Sequence, residues 1–171
     1  MKVTIAIIFS FLFSGCLGMP RLVRPVTDFD LSRYLGKWYE IARLDNRFEK
    51  GLSHVTAEYS LRKDGGLQVI NRGYSEKTGN WKKAEGKAYF VTSGSEGYLK
   101  VSFWGPFYGS YVIFELDHDH YQYAFVSGNN LSYLWLLSRT PTVSPEIIEK
   151  FKTAANLLGF DTGELVYVNQ T

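Results

Sequence analysis

The chain has 171 residues, a formal net charge of +2 at pH 7 and a single cysteine. So small a charge, with no stretch where basic residues crowd together, excludes a phosphate-tracking surface and with it nucleic acid as a partner. One cysteine allows no internal disulfide, so packing alone must hold the fold, and twelve Phe, twelve Tyr and four Trp supply the means.

After Lys2, the run Val3 to Phe13 is mostly apolar. It is long enough for the core of an export signal and short of the roughly twenty residues that span a bilayer. The run ends in Phe13-Ser14-Gly15-Cys16, small residues before a thiol that can carry a thioether-linked diacylglycerol. This reads as a bacterial lipoprotein signal, with residues 1–15 removed and Cys16 the lipidated N-terminus. Leu17, not Asp, follows the cysteine, which in such lipoproteins implies the outer membrane, with the protein lipid-anchored and facing the periplasm. At about 0.8 kcal/mol per buried methylene, a three-chain anchor is effectively permanent. Residues 16–27 carry Pro20, Pro25, Arg21 and Arg24 without a period and read as a lipidated tether. Residues 28–171 then form one domain, a size that suits a single core.

From Trp38 onward apolar residues recur mostly every second position, with turn residues near every tenth, the pattern of a sandwich or barrel. Lys37 to Arg43 is the first strand. Ser53 to Arg62 alternates, with His54, Thr56, Glu58 and Ser60 wet and Val55, Ala57, Tyr59 and Leu61 dry, and Asp64-Gly65-Gly66 turns it into Leu67 to Tyr74. Asn80 to Val91 and Tyr98 to Phe103 each show one wet and one dry face. Ser110 to Asp117 and Tyr121 to Ser127 flank an Asp117-His118-Asp119-His120 turn. Tyr133 to Ser138 is apolar on both faces and needs a cover. A helix supplies it: Ser144 caps, Pro145 starts, Ile147, Ile148, Phe151, Ala155 and Leu158 form one stripe, and Gly159 stops it. A short strand, Leu165 to Val168, ends the pattern. The predicted fold is all-β, an eight-stranded antiparallel up-and-down barrel with one C-terminal α-helix packed outside. A two-sheet sandwich competes, and the neighbour-to-neighbour hairpins favour the barrel.

Leu35-Gly36-Lys37-Trp38-Tyr39-Glu40-Ile41-Ala42 resembles the first signature of the lipocalins. Leu116-Asp117 with Tyr121-Gln122-Tyr123-Ala124 is similar to the second, and Leu137-Ser138-Arg139 to the third. The resemblance spans nearly the whole chain and is strongest to the bacterial outer-membrane lipocalins, a branch similar to apolipoprotein D. It implies that Gly36, Trp38 and Arg139 are structural, with the Arg139 cation on the Trp38 indole at the closed end. It also implies binding of fatty acids, lysophospholipids or related apolar molecules, and it places Tyr59, Asn71, Phe103 and Trp135 in the pocket.

Alternation adds Ala57, Ala88, Phe90 and Val101 to the inward face, and groups Tyr133 and Leu137 with Trp135. Asn71 shares a face with Val69 and Gly73, and an amide among apolar neighbours costs about 1 to 3 kcal/mol unless it finds a hydrogen bond. Its partner is a ligand head group, trapped water, a wall residue or solvent at the rim. Glu40 has Trp38's parity and either needs a partner at the barrel floor or meets water. The segment Phe103 to Tyr111 reads either as turn packing or as an aromatic surface for a lipid tail, a membrane or another subunit. Whether the barrel forms a homodimer stays open.

No Gly-x-Ser-x-Gly elbow or reactive cysteine is present, so no catalytic set and no enzyme is expected. His118 and His120 beside Asp119 read as a solvated hairpin tip, and no metal or cofactor is expected. The leading reading is an outer-membrane carrier that stores or transports lipophilic molecules for membrane maintenance. The alternatives are a lipid-modifying enzyme on the same fold and a structural envelope lipoprotein with a filled barrel.

Overall fold

Residues 17–171 are described by a computed structural model; the signal segment and Cys16 lie outside the described residues. A short helix, α1 (Leu31–Tyr34), precedes eight strands: β1 (Gly36–Leu44), β2 (Leu52–Leu61), β3 (Leu67–Ser75), β4 (Asn80–Phe90), β5 (Tyr98–Trp104), β6 (Phe107–Leu116), β7 (Tyr123–Ser127) and β8 (Leu134–Ser138). Each pairs antiparallel with the next, and β8 returns to β1, which also pairs with β2, so the sheet closes. Closure leaves no unpaired edge within the wall. Helix α2 (Pro145–Leu157) follows, and β9 (Leu165–Tyr167) pairs with the last residues of β1, beyond the point where β2 has diverged.

Two apolar clusters lie on either side of this wall. Inside, Trp38, Leu67, Val69, Ala88, Leu99, Ile113, Val126 and Leu137 pack with Phe29 and Tyr34. Outside, Ala42, Val112, Phe125, Leu134 and Leu136 pack under Phe151, Ala155 and Phe160. The helix is therefore the cover that the doubly apolar β8 requires. Pro145 takes its first turn, and Gly159, at φ +91°, adopts the left-handed turn that ends it. Ser144 holds the N-cap position through its backbone: its carbonyl accepts from Ile147 and Ile148, while its side chain makes no capping bond, contrary to expectation.

Several positions depart from the alternation. Residues 17–27 are not a free tether. Val23 is fully buried, the Gly18 amide donates to Tyr98 Oη and Ser110 Oγ at 3.0 Å each, and Val26 exchanges backbone bonds with Ile113 and Gly97. Prolines deny this segment a regular element but not a packed path. In β2 the register slips between Ser53 and Thr56, where His54 has φ +51°. Thr56, expected wet, is buried, while Leu61, expected dry, is exposed at the end of β2. Ser102, expected on a wet face, is also buried.

Candidate binding site

The closed end is a packed floor. Trp38 is fully buried and donates from Nε1 to the Tyr34 carbonyl at 2.8 Å. The Arg139 guanidinium lies 3.9 Å from the centre of that indole, a cation over a π face. It also donates to the carbonyls of Lys37 (2.9 Å), Arg33 (2.6 Å) and Tyr121 (3.3 Å). Gly36 beneath it has φ +92°; the conformation, more than lack of space, calls for glycine there. Above the floor, the hydroxyls of Tyr34 and Tyr59 each meet that of Tyr111, at 2.7 and 2.9 Å. Burial pushes all three phenols up, so they stay protonated as a neutral belt.

Cross-strand register places the candidate pocket residues on the inward face. Ala57 opposes both Trp38 and Asn71, Ala88 opposes Val101, Phe90 opposes Leu99, and Trp135 opposes Val126. Their burial differs: Tyr59 and Ala88 are buried, Ala57, Asn71, Phe90, Val101 and Trp135 keep partial exposure, and inward-facing Ala84 is open. Phe103 does not lie deep in the pocket. β5 leaves register with β6 between Val101 and Trp104, and the Phe103 ring, 43% exposed, covers Gly86 at the mouth. A Cβ at Gly86 would meet that ring at 2.8 Å, so glycine makes its room.

A polar cluster that alternation did not reveal occupies the same interior. β1 slips register with β8 between Glu40 and Ala42, an extra residue that turns Arg43 inward beside Glu40. Arg43 Nη1 donates to Glu40 Oε1 at 2.7 Å, and Nη2 donates to the Glu49 carbonyl at 2.8 Å. Glu49 Oε2 accepts from Asn46 and, at 3.0 Å, from Trp135 Nε1. Burial, reinforced by the nearby charge of Glu49, pushes the Glu40 carboxyl well above the usual carboxylate range, against the pull of Arg43. Among the described residues, Asn71 Oδ1 and Arg43 Nε are buried without a hydrogen-bond partner, the nearest carboxylate to that Nε being Asp45 Oδ1 at 3.9 Å. Glu40, inward by Trp38's parity, finds the partner it needs in Arg43, and the sequence signal for that partner is the doublet Ile41-Ala42, which breaks the period of two just before Arg43.

The inward face carries a neutral tyrosine belt, apolar upper walls and a polar station with unsatisfied hydrogen-bonding capacity. Such a site can bury an apolar chain and hold a polar head. His54 rests against Tyr74 and Trp81 on the outer wall, and His118 and His120 are exposed at the closed end, away from the cup.

A family model described as a lipocalin-like domain matches residues 29–170. The outer membrane lipoprotein Blc of Vibrio cholerae is 64% identical over 170 residues, spanning 99% of both chains. Mouse apolipoprotein D is 30% identical over 151 residues, covering 84% of this chain and 78% of its own. Among solved structures, the cockroach allergen Per a 4 superposes with a TM-score of 0.68 at 21% identity (90% of this chain, 96% of that one). Lobster apocrustacyanin A1 superposes at 0.64 and 24% (89% and 93%). With the closed barrel, the capped Trp38 and the family match in agreement, the chain belongs to the lipocalins.

Proposed function

We propose that this lipocalin is a lipid-anchored protein of the outer membrane, held through Cys16 and facing the periplasm, that stores or carries single-chain lipids, fatty acids or lysophospholipids, for membrane maintenance. The observation that carries this reading is the change in burial along the inward face: sealed at Trp38, Tyr59 and Ala88, accessible at Asn71, Ala84 and Trp135. The outer membrane placement rests on relatives named outer membrane lipoprotein Blc and on the signal motif. Binding is by reversible burial, without bond-making. A ten-carbon stretch removed from water contributes about 8 kcal/mol before ordering costs, which suits micromolar affinity.

The polar station selects among head groups. Glu40 is bonded to the one guanidinium, Asp45 lies 3.9 Å from its Nε, Glu49 adds a third carboxyl held by Asn46 and Trp135, and Asn71 Oδ1 offers an unused acceptor. That balance favours a head group bearing hydroxyl or ammonium donors over a bare carboxylate, and so a lysophospholipid over a fatty acid. The test is mass spectrometry of lipid extracted from protein purified under native conditions. Single-chain phospholipids at near one per barrel are expected; an extract matching bulk membrane composition contradicts the proposal.

A further inference from the structure

We infer that the open end of the barrel is a membrane-docking surface, which sets the mouth of the cup against a leaflet rich in anionic phospholipid. The inference rests on the reading above for the anchor at Cys16, and it adds the direction in which the mouth points. Strand direction assigns four connections to the end opposite Arg139: residues 45–51, 76–79, 105–106 and 128–133. On or beside each is a large apolar side chain in solvent: Phe48 (67% exposed), Trp81 (63%), Trp104 (82%) with Phe107 (61%), and Leu131 (43%). Along the closed-end connections, among the described residues, Leu61 alone is comparable. A soluble domain seldom gathers so much apolar surface at one end without a partner.

The chemistry between these side chains names the partner. Exposed Arg47, Lys50, Lys77 and Lys82 stand among them against two acids, Asp45 and Glu76, and Ser53 already holds Glu76 in a hydrogen bond. Lys87 and Lys100 flank the β5–β6 hairpin, 5.9 and 5.3 Å from the Tyr108 ring. Indoles beside flexible cations match the head-group region of a bilayer, where the ring takes the apolar boundary and the ammonium reaches anionic phosphate.

The docked N-terminal segment supplies an independent constraint. Gly18 is fastened to Ser110, three residues along β6 from Phe107. Gly18, two residues after the anchoring cysteine in sequence, is thereby held on the flank of the same hairpin. Acyl chains carried on Cys16, so close in sequence to Gly18, and Trp104 at the tip can enter one leaflet together. A single-chain lipid then passes between bilayer and cup without crossing water.

The experiment uses the full acylated protein, purified from its own membranes and reconstituted into vesicles of phosphatidylcholine and phosphatidylglycerol. The phosphatidylcholine is brominated near the head-group end of its acyl chains. Tryptophan emission should be quenched by the bromines, and the double substitution Trp81→Phe, Trp104→Phe should remove most of that quenching and of the vesicle-induced protection from aqueous acrylamide. Equal quenching in the variant, or a Trp104 open to acrylamide and untouched by bromine, overturns the inference. Protection from both quenchers also overturns it and identifies a second copy as the cover. Lysophospholipid titration of the same variant should be unchanged, so failure of docking and failure of the cup are read separately.

Discussion

The two ends of this barrel are made from the same alternating strands and reach opposite outcomes. At the closed end the Trp38 amine has an acceptor, Arg139 binds three carbonyls and an indole face, and the tyrosine hydroxyls satisfy one another. At the open end Asn71 Oδ1 and Arg43 Nε lack hydrogen-bond partners among the described residues, small residues line the wall, and aromatic rings face solvent. A well-satisfied floor can bear the strain of an unsatisfied mouth. Stability and ligand capture are therefore separated along the barrel axis, and substitutions should divide accordingly.

The largest effect is expected at the floor. Trp38→Ala removes a fully buried indole and should cost about 3 to 5 kcal/mol in urea unfolding. In a double-mutant cycle with Arg139→Ala, the coupling should be about 0.5 to 2 kcal/mol, and additivity would show that the stacked pair is only a contact. Next, Gly36→Ala forces φ +92° on a residue with a Cβ and should cost about 1 to 3 kcal/mol, with lysophospholipid affinity unchanged. A loss of affinity without a loss of stability would erase the division between the two ends.

The mouth should respond through protons and ligands. The Glu40 carboxyl titrates higher when folded than when unfolded, so the native state holds the extra proton. Its stabilising contribution is complete below the ordinary glutamate range and declines as pH rises through the elevated folded value. Glu40→Gln should flatten this decline in melting temperature above about pH 5; a slope identical to wild type would show that another group carries it. The smallest change in stability belongs to Asn71→Leu, within about 1 kcal/mol and in the favourable direction, because it removes an unpartnered acceptor. The same variant should lose about tenfold in lysophospholipid affinity, equivalent to about 1.4 kcal/mol, measured by calorimetric titration.

Much of this architecture was legible because alternation is a local signal. Glu58, Tyr59 and Ser60 announce their own faces, and the covered strand Leu134–Ser138 announces its helix. What stayed hidden depends on register and on distant packing. One extra residue at Ile41 brings Arg43 inward, and no property of Arg43 itself signals that turn. Asn71 was identifiable because an amide between Val69 and Gly73 is chemically conspicuous, whereas its lack of a donor is a fact of the folded wall. Phe103 keeps its parity but reaches only the rim, because the slip after Val101 widens the mouth there. The course of residues 17–27 depends on Tyr98 and Ser110, 80 and 92 residues from Gly18, and no periodicity could disclose it.

The central claim is that the upper cup receives an apolar chain beside Trp135. The direct measurement is fluorescence titration with a lysophospholipid whose acyl chain carries bromine, kept below its micellar concentration. Saturable quenching at one lipid per barrel, abolished in Trp135→Phe, is the result predicted. Absence of quenching, or equal and unsaturable quenching in wild type and Trp135→Phe, would contradict it.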